Sequence, residues 1–556
     1  VASAEIVEVD GIWYNLIPKA KAAEVVHDPS VNEYTECYSG DINIPSFITI
    51  EDEQYSVTGI AEKSFSYCSG MTSIIIPKSV MIIGNYAFQN CDGLTSITFV
   101  DGLTSIGDYA FLYCKNLNSI TIPSSLSSVG ESAFEGCDNL TSVHISDIES
   151  WCNIDFLSGF SSNPIYLARR LFIDDNEVKD LVIPQSVTNI KGYTFMGCEG
   201  LTSVKFHNGV TNIGSFAFSG CTGLTSVTIP SSMTSIGIYV FNGCSGINSV
   251  IIPNSVTSIE AGAFSGCAHL VSVDIPNSVT SIGGGAFARC SNLSSIIIPN
   301  SVKSIAGHTF EDCIGLCSVS LPNNLTSIDK YAFMNCKGLT SVNIPQSVTL
   351  VGEYAFCNCS GLKSIPIPDG VTIISKGTFS GCTGLMSVSI PNSVKKIDNV
   401  AFSGCSSLTS ITIPNSVTKI GVSAFDECTS LATVIIGKEV RDIGQRSFAE
   451  CPELTDVYCY AENIPTSYDN TFMDSYIEYA TLHMIAESME NYKHTVPWSS
   501  FGKFVVLTDE DPKPTGIKSI KNSLILDKNY YDLNGRKVIP NQKGVYIHDG
   551  KKVILR

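Results

Sequence analysis

Cysteine is the residue type here with the widest chemical repertoire, and its spacing argues against most of that repertoire. The chain has 21 cysteines in 556 residues, enough for a disulfide framework, metal sites or a nucleophile. Sixteen recur in 23-residue steps, each three residues after a phenylalanine, from Phe65/Cys68 to Phe134/Cys137 and, past an irregular stretch, from Phe195/Cys198 to Phe448/Cys451. Disulfide frameworks join cysteines at irregular spacing. Thiols at one position of a stack sit about 4.8 Å apart on parallel bonds, farther than the ~3.5–4.5 Å between β-carbons that a disulfide wants. The column is expected to be reduced and buried, each thiol acting as a small apolar side chain. Zinc needs four ligands, and the near pairs Cys313/Cys317 and Cys357/Cys359 have no second pair or histidine cluster beside them. The eight histidines are scattered, His144 in an alternating segment and His269 and His308 in connecting turns. No Cys-His-Asp set, paired carboxylates or glycine-rich phosphate loop stands out. No catalytic residue, metal or cofactor is expected. The five cysteines outside the column are Cys37, Cys152, Cys317, Cys357 and Cys459, the last at an inward position and expected in the core.

The elements that carry these residues follow from the period. A fixed repeat of 20 to 50 residues marks a solenoid, each unit one coil stacked on the next. Counting from each cysteine, apolar residues fall at +3 (Leu224), +6 (Val227), +8 (Ile229), +12 (Met233) and +15 (Ile236), with the next phenylalanine at +20. Alternation at +6 and +8 is the period of a half-buried strand, and the proline common at +9 removes a donor and ends its pairing. Each coil should give one short strand to a continuous parallel concave sheet of about 17 strands. The Ser-Val-Thr-Ser-Ile run at 255–259 makes the return edge. The Phe-x-x-Cys spacing suits one short helical turn pointing both side chains inward, so the class is an α/β solenoid.

A stacked array exposes its core at both ends and needs caps. Residues 1–56 are read as an N-terminal β cap, with a hairpin around Asp10-Gly11, and 57–458 as the solenoid. Residues 459–508 leave the period for a strand-helix cap anchored by Tyr492, Pro497, Trp498 and Phe501, and 509–556 form a small β tail of three strands with an Asn-Gly turn. The 61 residues from Cys137 to Cys198 equal 23 plus 38. Leu181, Ile183 and Pro184 are in phase with Cys198, so one coil should carry 15 extra residues. The excess holds Trp151-Cys152 and a hairpin from Leu171-Phe172-Ile173 through Asp174-Asp175-Asn176. It reads either as a flap that grips a ligand or as a scaffold decoration around a packed tryptophan.

Charged residues are only 16% of the chain and the formal net charge is −19. No cluster of basic and aromatic residues appears, so neither nucleic acid nor an anionic membrane surface is an expected partner. No apolar run approaches the ~18 residues of a membrane-spanning helix. The opening Val1-Ala2-Ser3-Ala4 fits a mature exported chain or a trimmed one.

The unit at 405–427, C-x-x-L-T-S-I-T-I-P-N-S-V-T-K-I-G-x-x-A-F-x-x, resembles the 23-residue BspA-like, or Treponema-type, leucine-rich repeat. The Ser-Trp-Cys insertion at 150–152 and the Pro-Trp-x-x-Phe run at 497–501 are similar to features of that family. The resemblance implies a leucine-rich repeat array, secreted or displayed on a bacterial surface and used for adhesion and other protein interactions. An extracellular protein, from host matrix or another bacterial surface, is the partner class it implies. In the tail, Tyr531 to Val538, Lys543 to Ile547 and Lys551 to Ile554 resemble the C-terminal sorting module of type IX secretion. A monomer is expected.

Two functional readings stand: a surface adhesin or protein-binding module, and a structural spacer that projects other modules. The outward strand positions discriminate. Position +5 is almost always serine, whereas +7 varies. Partner contacts are expected at His144, Lys205, Asp274, Asn343 and Tyr458 of the +7 row, and at Trp151 of the insertion. The near-identical Ser-Val-Thr-Ser-Ile edges cannot tell one partner from another.

Overall fold

The computed structural model describes residues 5–32, 38–157 and 160–514, together with four short strands of the tail. It is a β-solenoid of about 19 turns. Most regular coils contribute two parallel strands; those after Cys267 and Cys336 form no broad strand, Ser341 making only an isolated bridge to Ser364. The broader lies at +5 to +8, as in Ser410–Ile413, Thr433–Ile436 and Asp456–Cys459. The second is a two-residue strand where a return edge was expected, as in Ser235–Ile236, Ser258–Ile259 and Ser281–Ile282. Both ladders keep the 23-residue register, Ser410↔Thr433 in the broad one and Ser235↔Ser258 in the narrow one. The broad ladder is paired in runs of two to five strands rather than as one unbroken sheet.

The class also needs correcting, from α/β to β. Among the described residues, helices are confined to Ile148–Cys152, Ile165–Ala168, Met489–His494 and four shorter turns, all outside the regular coils. The Phe-x-x-Cys segment is a hydrogen-bonded turn, Cys N–H donating to Phe C=O (3.2 Å for Cys267 to Phe264), and the residue before each ladder cysteine is left-handed. That position holds glycine in Gly220 and Gly243 but Arg289 or Asn335 elsewhere. A left-handed residue reverses the chain after one turn, so no helix can propagate.

Between the ladders the core is a set of columns. The phenylalanine rings stack from Phe65 to Phe134 and again from Phe195 to Phe472, with centroids 5.0–5.9 Å apart and planes within 20°. The cysteines stand beside them, and all twenty in the described residues are free thiols; Cys37 lies outside those residues. Their role exceeds that of a small apolar group. In fourteen coils the thiol donates to the phenylalanine carbonyl of the preceding coil, 26 residues back, at 3.0–3.4 Å. All of these carbonyls but that of Phe425 also accept the cysteine N–H of their own coil, which uses both lone pairs. Burial pushes Cys152, Cys198, Cys313, Cys382 and Cys451 up to about 12. Cys459 is buried, its sulfur 3.1 Å from the Tyr492 hydroxyl, and Cys317 is exposed.

The hydroxyl rows at the coil corners are also structural. Thr104, Thr211, Thr257, Thr280 and Thr326 at +13, and Thr95, Thr141, Thr202 and Thr455 at +4, donate to the carbonyl 23 residues earlier. These bonds cover backbone acceptors at the corners.

At the N-terminal end, Glu5–Val9 and Ile12–Ile17 form the expected hairpin, with Asp10 and Gly11 both left-handed as a two-residue turn requires. Ile12–Ile17 pairs with Ala22–Val25, which pairs in parallel with Glu53–Ile60 and so leads into the narrow ladder. At the other end the period does not stop at residue 459. Phe472 continues the ring column, and Ser475 takes the cysteine place 24 residues after Cys451, its hydroxyl donating to Phe448 C=O at 2.6 Å. Thr481–Met484 and Lys503–Val506 then extend the broad ladder, over buried Tyr492, Trp498 and Phe501. In the tail, Lys537–Val538, Tyr530–Tyr531, Gly544–His548 and Lys551–Leu555 form, in that order, a four-stranded antiparallel sheet, one strand more than expected. Asn534 and Gly535 of the expected turn lie outside the described residues.

Candidate functional site

The outward side of the broad ladder is the candidate site, because the +5 and +7 side chains point away from the core while +6 and +8 are buried. Lys205, Asp274 and Asn343 are exposed there, and His144 and Tyr458 are half-buried. These residues do not converge. Lys205 and Asp274 are three coils apart, about 14 Å at ~4.8 Å per rung, so the face is a row and not a pocket.

The insertion is built in two pieces rather than one. Ser128 pairs with Asp155, 27 residues on, so the first lengthened coil gains four residues, and the rest lie between there and Asn189. The second piece contains the hairpin Leu171–Ile173/Asn176–Glu177, turned through left-handed Asp174 and Asp175 as the sequence suggested. Leu171–Ile173 joins the broad ladder beside Ser142–Ile145. Its Phe172 ring stacks on His144 at 5.0 Å, and Asp175 Oδ1 lies 3.6 Å from His144 Nδ1. His144 is thus held by the hairpin.

Trp151 lies in the core and not on the outward face. It is 1% exposed, and its indole N–H donates to Thr194 C=O at 2.9 Å, next to Phe195, where the ring column restarts. Asp147 starts its short helix by accepting from Ser150 N–H at 2.7 Å. The reading of this piece as scaffold around a packed tryptophan is the one that fits. Trp151→Ala should cost about 3–5 kcal/mol of stability, measured by urea unfolding, and leave binding by the folded protein unchanged. Unaltered stability with lost binding would restore Trp151 to the face.

A second cluster, which the spacing did not expose, lies at the C-terminal end. Tyr458 stacks on His483 at 4.1 Å, and His483 Nε2 is 2.9 Å from Asp456 Oδ1. Residues 508–514 fold back beside them. Tyr460 donates its hydroxyl to Pro512 C=O at 3.1 Å, Lys513 Nζ sits 5.8 Å from the Tyr460 ring centre, and the Thr508 N–H and hydroxyl hold the Asp511 carboxyl below its usual range. A groove of about 660 Å³ opens between this segment and the strand ends, lined by Lys438, Tyr460, Glu462, Glu487 and Lys513 among others. The sequence signal for it is Phe472-x-x-Ser475, a unit one residue beyond the 23-residue step with serine for cysteine. Among the described residues, no group of three or more His, Cys, Asp or Glu side chains is placed to hold a metal ion, and no helix is long and apolar enough to cross a membrane.

The family model described as the BspA type leucine rich repeat region matches residues 34–157, 166–294, 280–405 and 372–493. Among solved structures, a leucine-rich repeat protein from Bacteroides ovatus is 27% identical, over 83% of this chain and 99% of its own, with a TM-score of 0.40. A leucine rich cell surface protein from Faecalibacterium prausnitzii is 26% identical over 78% and 94%, with a TM-score of 0.35. The pneumococcal vaccine antigen PcpA is 17% identical over 91% and 99%, with a TM-score of 0.28. No curated protein matches the chain.

Proposed function

Since the chain belongs to the BspA-type leucine-rich repeat family, we propose that it is a bacterial surface or secreted protein whose broad-ladder face binds an extracellular protein, as an adhesin does. One observation carries this reading. The corner threonines are engaged with neighbouring coils, whereas the outward +7 row varies from coil to coil and leaves Lys205, Asp274 and Asn343 exposed. A row that varies on a regular scaffold is where a solenoid reads a partner. The N-terminal hairpin and the segment after residue 459 serve as end caps in this reading, and the array works as a non-enzymatic scaffold. The tail module supports export by a C-terminal sorting route.

Each contact on such a row is weak, so affinity should be spread over several coils. The test measures binding of the full chain to purified host-matrix proteins and to bacterial surface proteins, then compares Lys205→Ala, Asn343→Ala and deletion of the 171–177 hairpin with a corner control, Thr257→Lys. The face variants should each weaken binding severalfold and the control should not. If only Thr257→Lys weakens it, the face is wrong and the array is better read as a spacer with incidental edge contacts.

A further inference from the structure

Six consecutive coils, from the one after Cys221 to the one after Cys336, carry a single formal charge at their outward positions +4, +5 and +7. That charge is Asp274; the other positions are Thr, Ser, Asn, Ile, Val and Cys. The next outward charges are Lys205 on one side and Lys363 on the other. The Asp274 carboxylate is exposed and has neither a hydrogen bond nor an ion pair among the described residues. The coils around it carry exposed aliphatic side chains at the same outward positions. Ile251 on the preceding coil is 63% exposed, Ile297 on the following coil 71%, and Val271 on the same coil 50%. Residues 271–276 form no strand, so the broad ladder is interrupted here between Ser249–Ile251 and Ser295–Ile297, and Asp274 is the +7 residue of the coil between those of Ile251 and Ile297.

We infer that this cluster anchors a partner protein segment that presents an arginine or lysine flanked by aliphatic side chains. This rests on the broad face being the binding surface and names the chemistry it selects. An exposed carboxylate attracts a cation only feebly in water, and salt screens it. A partner that covers Ile251, Val271 and Ile297 excludes water from the pair, which strengthens the attraction and leaves a neutral or acidic residue at that place unfavourable. Arginine suits the place better than lysine because its planar guanidinium can bond both carboxylate oxygens. The chain is acidic overall, at −19, which favours encounter with a basic partner over an acidic one.

The test uses a displayed library of random peptides selected against the full chain, with enriched peptides titrated by fluorescence anisotropy. They should share an arginine or lysine beside aliphatic residues. Asp274→Asn should weaken them about tenfold or more and flatten their salt dependence, Ile297→Ser should weaken them at unchanged salt dependence, and Asp274→Lys should bind the peptide whose cation is exchanged for glutamate. Thermal unfolding of Asp274→Asn should match the parent. Failure to enrich basic peptides, or equal binding to Asp274→Asn, overturns the anchor. If Lys205→Ala then weakens the selected peptides, the face still stands as the binding surface; if only Thr257→Lys does, both readings fall.

Discussion

Raising the pH from about 9 toward 11 should unfold the repeat array in one steep transition, because its thiols cannot ionise while folded. Burial raises Cys152, Cys198, Cys313, Cys382 and Cys451 to about 12 and shifts Cys114, Cys267, Cys290, Cys336, Cys359, Cys405 and Cys428 the same way. A group whose pKa is raised by folding contributes stability that is fully present below its unfolded value. That stability is lost as pH climbs toward the folded value, because the unfolded chain releases protons the folded one retains. Each thiol forfeits about 1.4 kcal/mol per pH unit in that window. At pH 10 the five thiols at about 12 alone account for on the order of 7 kcal/mol, comparable with the ~5–15 kcal/mol that holds a typical domain. Circular dichroism and thiolate absorbance followed together check this, and both should change in one step. Thiolate absorbance rising near pH 9 with the fold intact would refute it. At neutral pH, alkylation of the native protein should label Cys317 first and the column hardly at all, while unfolding without reductant should open the column to label.

The next largest effect is expected at the middle of the ring column. Phe264 is fully buried between Phe241 and Phe287, 5.6 Å from each. Phe264→Ala leaves a cavity that neither neighbour can fill, because each ring is fixed by its own coil, and should cost about 3–5 kcal/mol. In a stack held by nearest-neighbour interfaces that loss falls on one junction. Urea unfolding should therefore change from one transition to two as the halves uncouple. Phe264→Leu should keep a single transition at reduced stability. A Phe264→Ala variant with the parent's midpoint would show that the column is not what couples the coils.

The period, the inward and outward parity of the broad strands, the free thiols and both hairpins were legible in the residues alone. Each follows from short-range rules: +6/+8 alternation puts Val227 and Ile229 inside, and Asp10-Gly11 and Asp174-Asp175 are turns on their own chemistry. The remaining features arise only when groups 23 or more residues apart meet in the folded chain. The cysteine's particular task appears only when its sulfur reaches a carbonyl 26 residues back. The second ladder forms from two-residue strands, too short for alternation to register, once Ser235 and Ser258 lie side by side. Trp151 looked available for contact because sequence does not show that Thr194, 43 residues on, takes its indole N–H. Ser475 hid the last coil because a hydroxyl can replace the thiol as donor to Phe448. Asp274 was one variable residue in a row until its freedom from partners, and its place on the coil between those of Ile251 and Ile297, set it apart, since exposure and the lack of a partner are properties of the packed surface and not of the chain.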